Sequence, residues 1–265
     1  MPVTFTPVEP RVYLVAETKV NQFAVQEFLT TGITADWAIP TTEPAEQLVE
    51  IGGRLCYKSF DPNLNLNITR VRKDSKAYLE NIIRTGHGSV LEHASLTFIL
   101  TNVSRTFTHE LVRHRAGTAF SQESLRYVRV EDLGFIVAPC IEERDGNREH
   151  ITAAFEHLSA AYEEMRALFP DLDDMPFAEK KIVTSALRAF LPHGLATSIM
   201  VTANIRAWRW IFELRSDPAA EVEFRELVGL MFLQAIKCAP LLFGDLVNSG
   251  DRGYPVLKSE LRGKV

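Results

Sequence analysis

A single α+β domain, with a mainly antiparallel central sheet packed by long helices, is the fold class predicted by this 265-residue sequence. Three observations predict it. Short stretches rich in branched and aromatic residues, such as residues 94–101, have strand character. Long amphipathic stretches, such as residues 148–168, carry helical periodicity. No linker, internal repeat or low-complexity tract divides them, so residues 1–265 read as one domain.

The elements follow in order. Residues 11–16 (Arg-Val-Tyr-Leu-Val-Ala) predict a strand, and the polar, proline-containing stretch 40–44 a loop. Ala45, Leu48, Val49, Leu55 and Cys56 set a helical period over 43–57. The turn formers of 61–67 mark a surface loop. A helix over 73–84 should end at Gly86, a residue suited to a left-handed cap. After the strand at 94–101, residues 104–115 read as a helix stopped by Gly117, and 125–130 alternate like an amphipathic strand. A long helix over 148–168 is broken by Pro170, and another over 178–190 stops at Pro192. Residues 195–202 have strand character, Asn204 is an N-cap for a helix ending near Leu214, and Pro218 starts a final helix reaching Cys238. Residues 17–40 and the tail after Asn248 carry no recognisable motif and are assigned to packing or assembly.

The composition is that of a soluble globular protein, 46% hydrophobic and 24% charged. No apolar run is long enough to span a membrane, and no secretory leader is evident at the start. Cys56, Cys140 and Cys238 are scattered and odd in number, which argues against a disulfide framework and fits a reducing cytoplasm. A formal charge of -5 excludes a broad basic surface for nucleic acid. Against that acidic background, residues 113–129 concentrate Arg113, Arg115, Arg126 and Arg129 with His114, opposed only by Glu123. Planar guanidinium groups recognise phosphate or carboxylate in a bidentate manner, so the cluster points to a small anionic ligand.

Taken alone, Arg113, His114 and Arg115 could simply complement a helix C-terminus. The residues beyond Gly117 weaken that explanation. In a strand beginning near Ser124, Ser124 and Arg126 would share one face and offer hydroxyl and guanidinium donors to a phosphate. The whole pattern, Arg113-His-Arg115, eight residues, then Ser124 with Arg126 and Tyr127, resembles the signature of the flavin-dependent thymidylate synthases. Three further stretches are similar to that family: Gly86-His-Gly-Ser-Val-Leu-Glu-His93, Arg188 followed by Leu191-Pro192, and Asn204-Ile-Arg206 with Leu214-Arg215. The resemblance spans residues 54–245.

The resemblance implies an enzyme that methylates dUMP to dTMP, with methylenetetrahydrofolate as carbon donor, FAD as cofactor and NADPH as reductant. It also implies a homotetramer whose active sites are shared between subunits, with no nucleic-acid or membrane partner. His87, Ser89, Arg113, His114, Arg115, Asn204 and Arg206 would hold FAD. Gln122, Glu123, Ser124 and Arg126 would line the dUMP site, completed by Arg188 and Arg215 from another subunit. Arg215 and Ser124 are the candidates for the chemical step: Arg215 to stabilise charge developing on the pyrimidine, Ser124 as a group whose binding role is favoured over nucleophilic attack, since no base lies in register with it.

Alternatives stand beside these assignments. Asn204 can cap a helix and still lie near a flavin; Arg188 and Arg215 sit at helix ends, where cations are favourable without any ligand. His93 reads as structural rather than as a metal ligand, and no metal is expected. Trp208 and Trp210 read as packing residues, Cys56 and Cys238 likewise, and Cys140, despite following Pro139, lacks a neighbouring base or cation. The gap before Ser124 is the longer family variant, so residues 116–120 do not transfer. Glu110, Trp210 and Ala219 depart from residues that some relatives carry near the ligands. Two rival functions remain: a non-catalytic nucleotide-binding protein using the arginines as an anion site, and a flavoprotein of this fold that has lost methyl transfer.

Overall fold

A computed structural model of the chain describes residues 6–33, 37–68, 70–127, 134–138, 141, 147–250 and 254–265. Four strands form the central sheet in the order β2-β3-β6-β4: β2 (Arg11–Glu17), β3 (Ser95–Ser104), β4 (Thr118–Gln122) and β6 (Ala196–Asn204). Backbone pairs fix its sense. Ile205 N–H donates to Ala94 O and Thr106 N–H to His193 O, so β3 and β6 run antiparallel. Glu123 N–H donates to Ser198 O and Asn204 N–H to Gly117 O, so β4 and β6 are antiparallel too. Two small sheets accompany it: β1 (Thr6–Pro7) beside β5 (Gly134–Phe135), and β7 (Leu246–Asn248) antiparallel to β8 (Leu257–Ser259). Helix and sheet are thus combined as α+β.

By chain contacts the molecule divides into two compact units. One comprises residues 1–12, 99–113 and 120–200; the other comprises 13–98, 114–119 and 201–265. The first holds α4 (Arg105–Leu111), α5 (Asn147–Arg166) and α6 (Phe177–Leu187), with a core of Phe135, Tyr162, Leu172, Leu187, Leu191 and Leu195. The second holds α1 (Gln22–Glu27), α2 (Pro44–Tyr57), α3 (Ser75–Thr85), α7 (Ile205–Arg215), α8 (Val222–Cys238) and the short α9 (Pro240–Phe243). Its centre is aromatic: Trp208 meets Phe98 edge-on at 5.0 Å and donates Nε1–H to Leu96 O at 3.1 Å, while Phe212 packs on Trp208, Phe232 and Phe243.

Caps set the starts of α3, α4 and α7. Asp74 accepts from Ala77 N–H to start α3, and Gly86, at φ 75°, ends it in the left-handed region. One device occurs twice. Ser104 ends β3 and caps α4 at Phe107 N–H, just as Asn204 ends β6 and caps α7 at Ala207 N–H. This strand–cap–helix repetition is absent from the sequence reading because the paired stretches share few identities.

Three expected boundaries fail. The helix expected to reach Arg115 closes at Leu111, where Val112 N–H donates to Thr108 O, so Arg113, His114 and Arg115 lie in the turn beyond it. The strand expected from Ser124 is instead β4, which ends at Gln122. Tyr127 N–H folds back to Ser124 O at 3.0 Å and Arg126 N–H to Ser124 Oγ at 3.4 Å, making a tight turn. Sheet pairing with β6 outweighed the local alternation; residues 128–130 of that reading lie outside the described residues. The final helix also starts later than Pro218, at Val222.

Inside the second unit Arg54 is fully buried and fully engaged. Its Nε meets Glu50 at 2.8 Å, and its other nitrogens donate to Ser59 O and Arg72 O. Its guanidinium lies 3.9 Å from the Trp37 ring centroid and 4.1 Å from that of Tyr78. Burial pushes the Tyr78 hydroxyl up to about 12 from 10.0, against the opposing pull of Arg54. The unfolded phenol ionises first, so between pH 10 and about 12 the unfolded chain binds fewer protons and stability falls as pH rises. Tyr78→Phe is expected to remove roughly 2 kcal/mol of that alkaline loss. Urea midpoints measured across that window check this, and an unaltered alkaline limb would contradict it.

Candidate functional site

The sequence-derived site residues fall into two groups, one in each unit. In the second unit the group is organised around Gly117, whose φ of 71° is left-handed. A Cβ at this position would lie 2.8 Å from Asn204 Cγ, so only glycine lets the chain pass against that carboxamide. Asn204 meanwhile accepts from Ala207 N–H at 2.8 Å and donates its own N–H to Gly117 O at 3.0 Å. One residue therefore both starts α7 and seats the loop that follows Arg113-His-Arg115.

That seat brings His114 to the end of α7. Arg215 Nε donates to His114 Nε2 at 2.9 Å, which makes Nε2 the acceptor and assigns the neutral imidazole proton to Nδ1. The Thr118 hydroxyl donates to His114 O, and Phe224 lies under both side chains, 4.9 Å from the Arg215 guanidinium. The candidate catalytic arginine and a candidate cofactor histidine are thus in direct contact. Arg115 is exposed beside them.

A cavity of about 480 Å³ adjoins Gly117. Ala116, Ala207 and Trp210 give it apolar walls; Glu92, Asn204, Arg206 and Lys264 give it polar ones. Arg206 donates to Glu92 at 2.6 Å and to Val265 O at 2.8 Å. Gly88 makes this approach possible, because a Cβ there would stand 2.7 Å from Arg206 Nε. Nearby, His87 Nδ1 is 3.1 Å from the Tyr57 hydroxyl, and Ser89 is exposed on the following turn. Cationic donors, apolar walls and a glycine-lined approach fit an anionic dinucleotide such as a flavin cofactor.

In the first unit, Gln122 donates to Thr108 Oγ1 at 3.1 Å, and Arg113 pairs with Glu110 at 2.9 Å. Glu123 has a structural task that the sequence did not reveal: its carboxylate accepts from Ser198 N–H at 3.0 Å, closing the β4–β6 edge. Arg126 and Arg188 are exposed, and Arg188 caps the end of α6. Tyr127 lies close to Lys181, whose hydrogen bond and charge lower the phenol pKa.

Arg105 was missed by the sequence reading. Its Nε is buried with no hydrogen-bond partner, and burial lowers its pKa, Glu123 opposing that shift and Arg188 adding to it. Two guanidinium groups close enough to repel suit a shared anion. A signal was available: an arginine at the first position of a helix opposes the helix dipole and requires another reason to be there.

The remaining assignments divide. Trp208 is a core residue as expected, but Trp210 lines the cavity with Lys264 Nζ 5.2 Å from its ring, so packing is not its whole role. Cys56 is exposed rather than packed, whereas burial pushes the Cys238 thiol up to about 12. Cys140 lies outside the described residues. Among the described residues no group of three or more His, Cys, Asp or Glu side chains could hold a metal ion, and no helix is long and apolar enough to cross a membrane.

The family model described as "Thymidylate synthase complementing protein" matches residues 39–241. The flavin-dependent thymidylate synthase of Mycobacterium tuberculosis is 38% identical over 228 residues, covering 83% of this chain and 88% of that protein. The chain belongs to the flavin-dependent thymidylate synthase family. The enzyme of that name from Mycobacteroides abscessus is 37% identical over 216 residues, covering 79% and 82%. Among solved structures, a UMP/dUMP methylase, PolB from Streptomyces cacaoi bound with 5-Br UMP, superposes with a TM-score of 0.61 at 17% identity. It covers 91% of this chain and 95% of that one, and it shares the fold.

The Gly117 seat yields a stability test. Asn204→Ala removes the α7 cap and is expected to cost about 1 kcal/mol, whereas Asn204→Ser, which retains a capping oxygen, should cost clearly less. Urea unfolding of the two variants decides; equal losses would remove the cap from the account.

Proposed function

We propose that this protein methylates dUMP to dTMP, with methylenetetrahydrofolate as carbon donor, FAD as the bound cofactor and NADPH as reductant. The observation that carries the reading is the cavity that Asn204 and Arg206 line beside Gly117, with His114 and Arg215 in contact after the same loop, in a chain 38% identical over most of its length to relatives named for this activity. When bound, the flavin supplies the hydride that completes the methyl group. His87, Ser89, Arg113, His114, Arg115, Asn204 and Arg206 hold it.

The chain's own residues do the rest. Arg105, Ser124, Arg126 and Arg188 bind the nucleotide phosphate, and Gln122 and Glu123 flank the base. Arg215, oriented by His114, stabilises negative charge developing on the pyrimidine. Ser124 acts in binding: its Oγ accepts from Arg126 N–H in a tight turn. Neither described cysteine is placed for attack: Cys56 lies outside both groups, and burial pushes the Cys238 thiol up to about 12. A homotetramer with sites shared between copies completes the proposal. Exposed Phe177 and Ile182 on α6, at 68% and 71% exposure, support such association.

The purified protein should show flavin absorbance bands and release tritium from 5-tritiated dUMP when folate and NADPH are supplied. A colourless protein that still binds dUMP would instead establish a non-catalytic nucleotide binder. Arg105→Ala is expected to weaken dUMP binding by at least about tenfold while flavin content is unchanged. Ser124→Ala should weaken dUMP binding yet retain measurable turnover; abolished turnover with intact binding would assign Ser124 a chemical role.

A further inference from the structure

The segment from β8 to Val265 lies beyond residues 39–241, where the family model matches, and carries no sequence motif. It is nevertheless held in place from α7. Glu213 accepts from Ser259 N–H at 3.1 Å and from Lys264 N–H at 3.2 Å, one carboxylate oxygen for each. The Ser259 hydroxyl donates to Asp245, which Arg209 grips through two nitrogens at 2.6 and 2.7 Å. Arg262 N–H closes back on Ser259 Oγ at 2.9 Å.

This anchoring sets the backbone of Lys264 at φ 56°, in the left-handed region that disfavours a side chain by roughly 1 kcal/mol. In this conformation the Lys264 ammonium sits 5.2 Å from the Trp210 ring, at the cavity that also holds Arg206. Glu92 neutralises Arg206 at 2.6 Å, and Arg206 Nε is committed to Val265 O. Among the residues lining the cavity, Lys264 is the second cationic side chain beside Arg206.

We propose that Lys264 is a cofactor-binding residue, whose ammonium, seated over Trp210, contacts an anionic group of the flavin dinucleotide held in this cavity. The inference rests on the reading that the cavity is the flavin site. It extends that site to a segment outside the matched family region. It also explains why an unfavourable backbone conformation is kept at a lysine.

Glycine adopts the φ of Lys264 without penalty, so Lys264→Gly removes the ammonium while preserving the backbone; Lys264→Arg retains the charge. FAD is titrated into the flavin-stripped full-length protein by fluorescence quenching, at low and high salt. Lys264→Gly is expected to bind FAD about tenfold more weakly at low salt, with the difference shrinking at high salt, and Lys264→Arg within about twofold of the parent. Parent-like affinity in Lys264→Gly overturns the inference and leaves the flavin reading standing. Equal losses in the glycine and arginine variants overturn it as well, because charge would not be the cause. A parent protein that takes up no flavin overturns both.

Discussion

The contact between Gly117 and the Asn204 carboxamide sets the geometry of the second unit's site. Gly117 is in the left-handed region, lacks the Cβ that would strike Asn204, and offers its carbonyl to Asn204 N–H. Asn204 at the same time ends β6 and caps α7. A small backbone allowance is thereby converted into a fixed relation between a loop and a helix. His114 enters that relation at one end and Arg215 at the other, 2.9 Å apart. The cavity walls contributed by Ala116, Arg206 and Trp210 follow from the same joint.

Guanidinium groups serve two purposes in this acidic protein, and their surroundings distinguish them. Arg54 has every nitrogen engaged, between two aromatic rings, and Arg209 is answered in bidentate fashion by Asp245. Such groups are closed. An unpartnered Nε alone is no criterion, since Arg209 also has one. What sets Arg105 apart is a buried, unpartnered Nε together with a second cation, Arg188, whose influence is opposed by the Glu123 charge. Arrangements of that kind gain most from an anion arriving from solution.

The sequence was most legible where local chemistry decides the structure. Gly86 and Asn204 mark helix ends by capping chemistry that needs no distant partner, and each does so in the folded chain. It was least legible where the sheet decides. Arg113, His114 and Arg115 extend a helical pattern, yet the chain leaves the helix at Leu111 so that β4 can pair with β6. The alternation after Ser124 imitates a strand, yet Glu123 closes the edge with Ser198 and the chain turns. The family motifs identified residues that gather at Gly117, but they could not reveal Arg105, read as an ordinary helix start. Nor could they reveal Lys264, whose neighbours Trp210 and Glu213 are remote in sequence.

The Gly117 joint is the proposed determinant of cofactor binding, and a flavin titration of Gly117→Ala tests it most directly. The added methyl group must displace the Asn204 carboxamide and strain the loop. The expected result is a folded protein whose FAD affinity falls by at least about tenfold while its dUMP affinity stays within about twofold of the parent. Parent-like FAD affinity in Gly117→Ala would contradict the account.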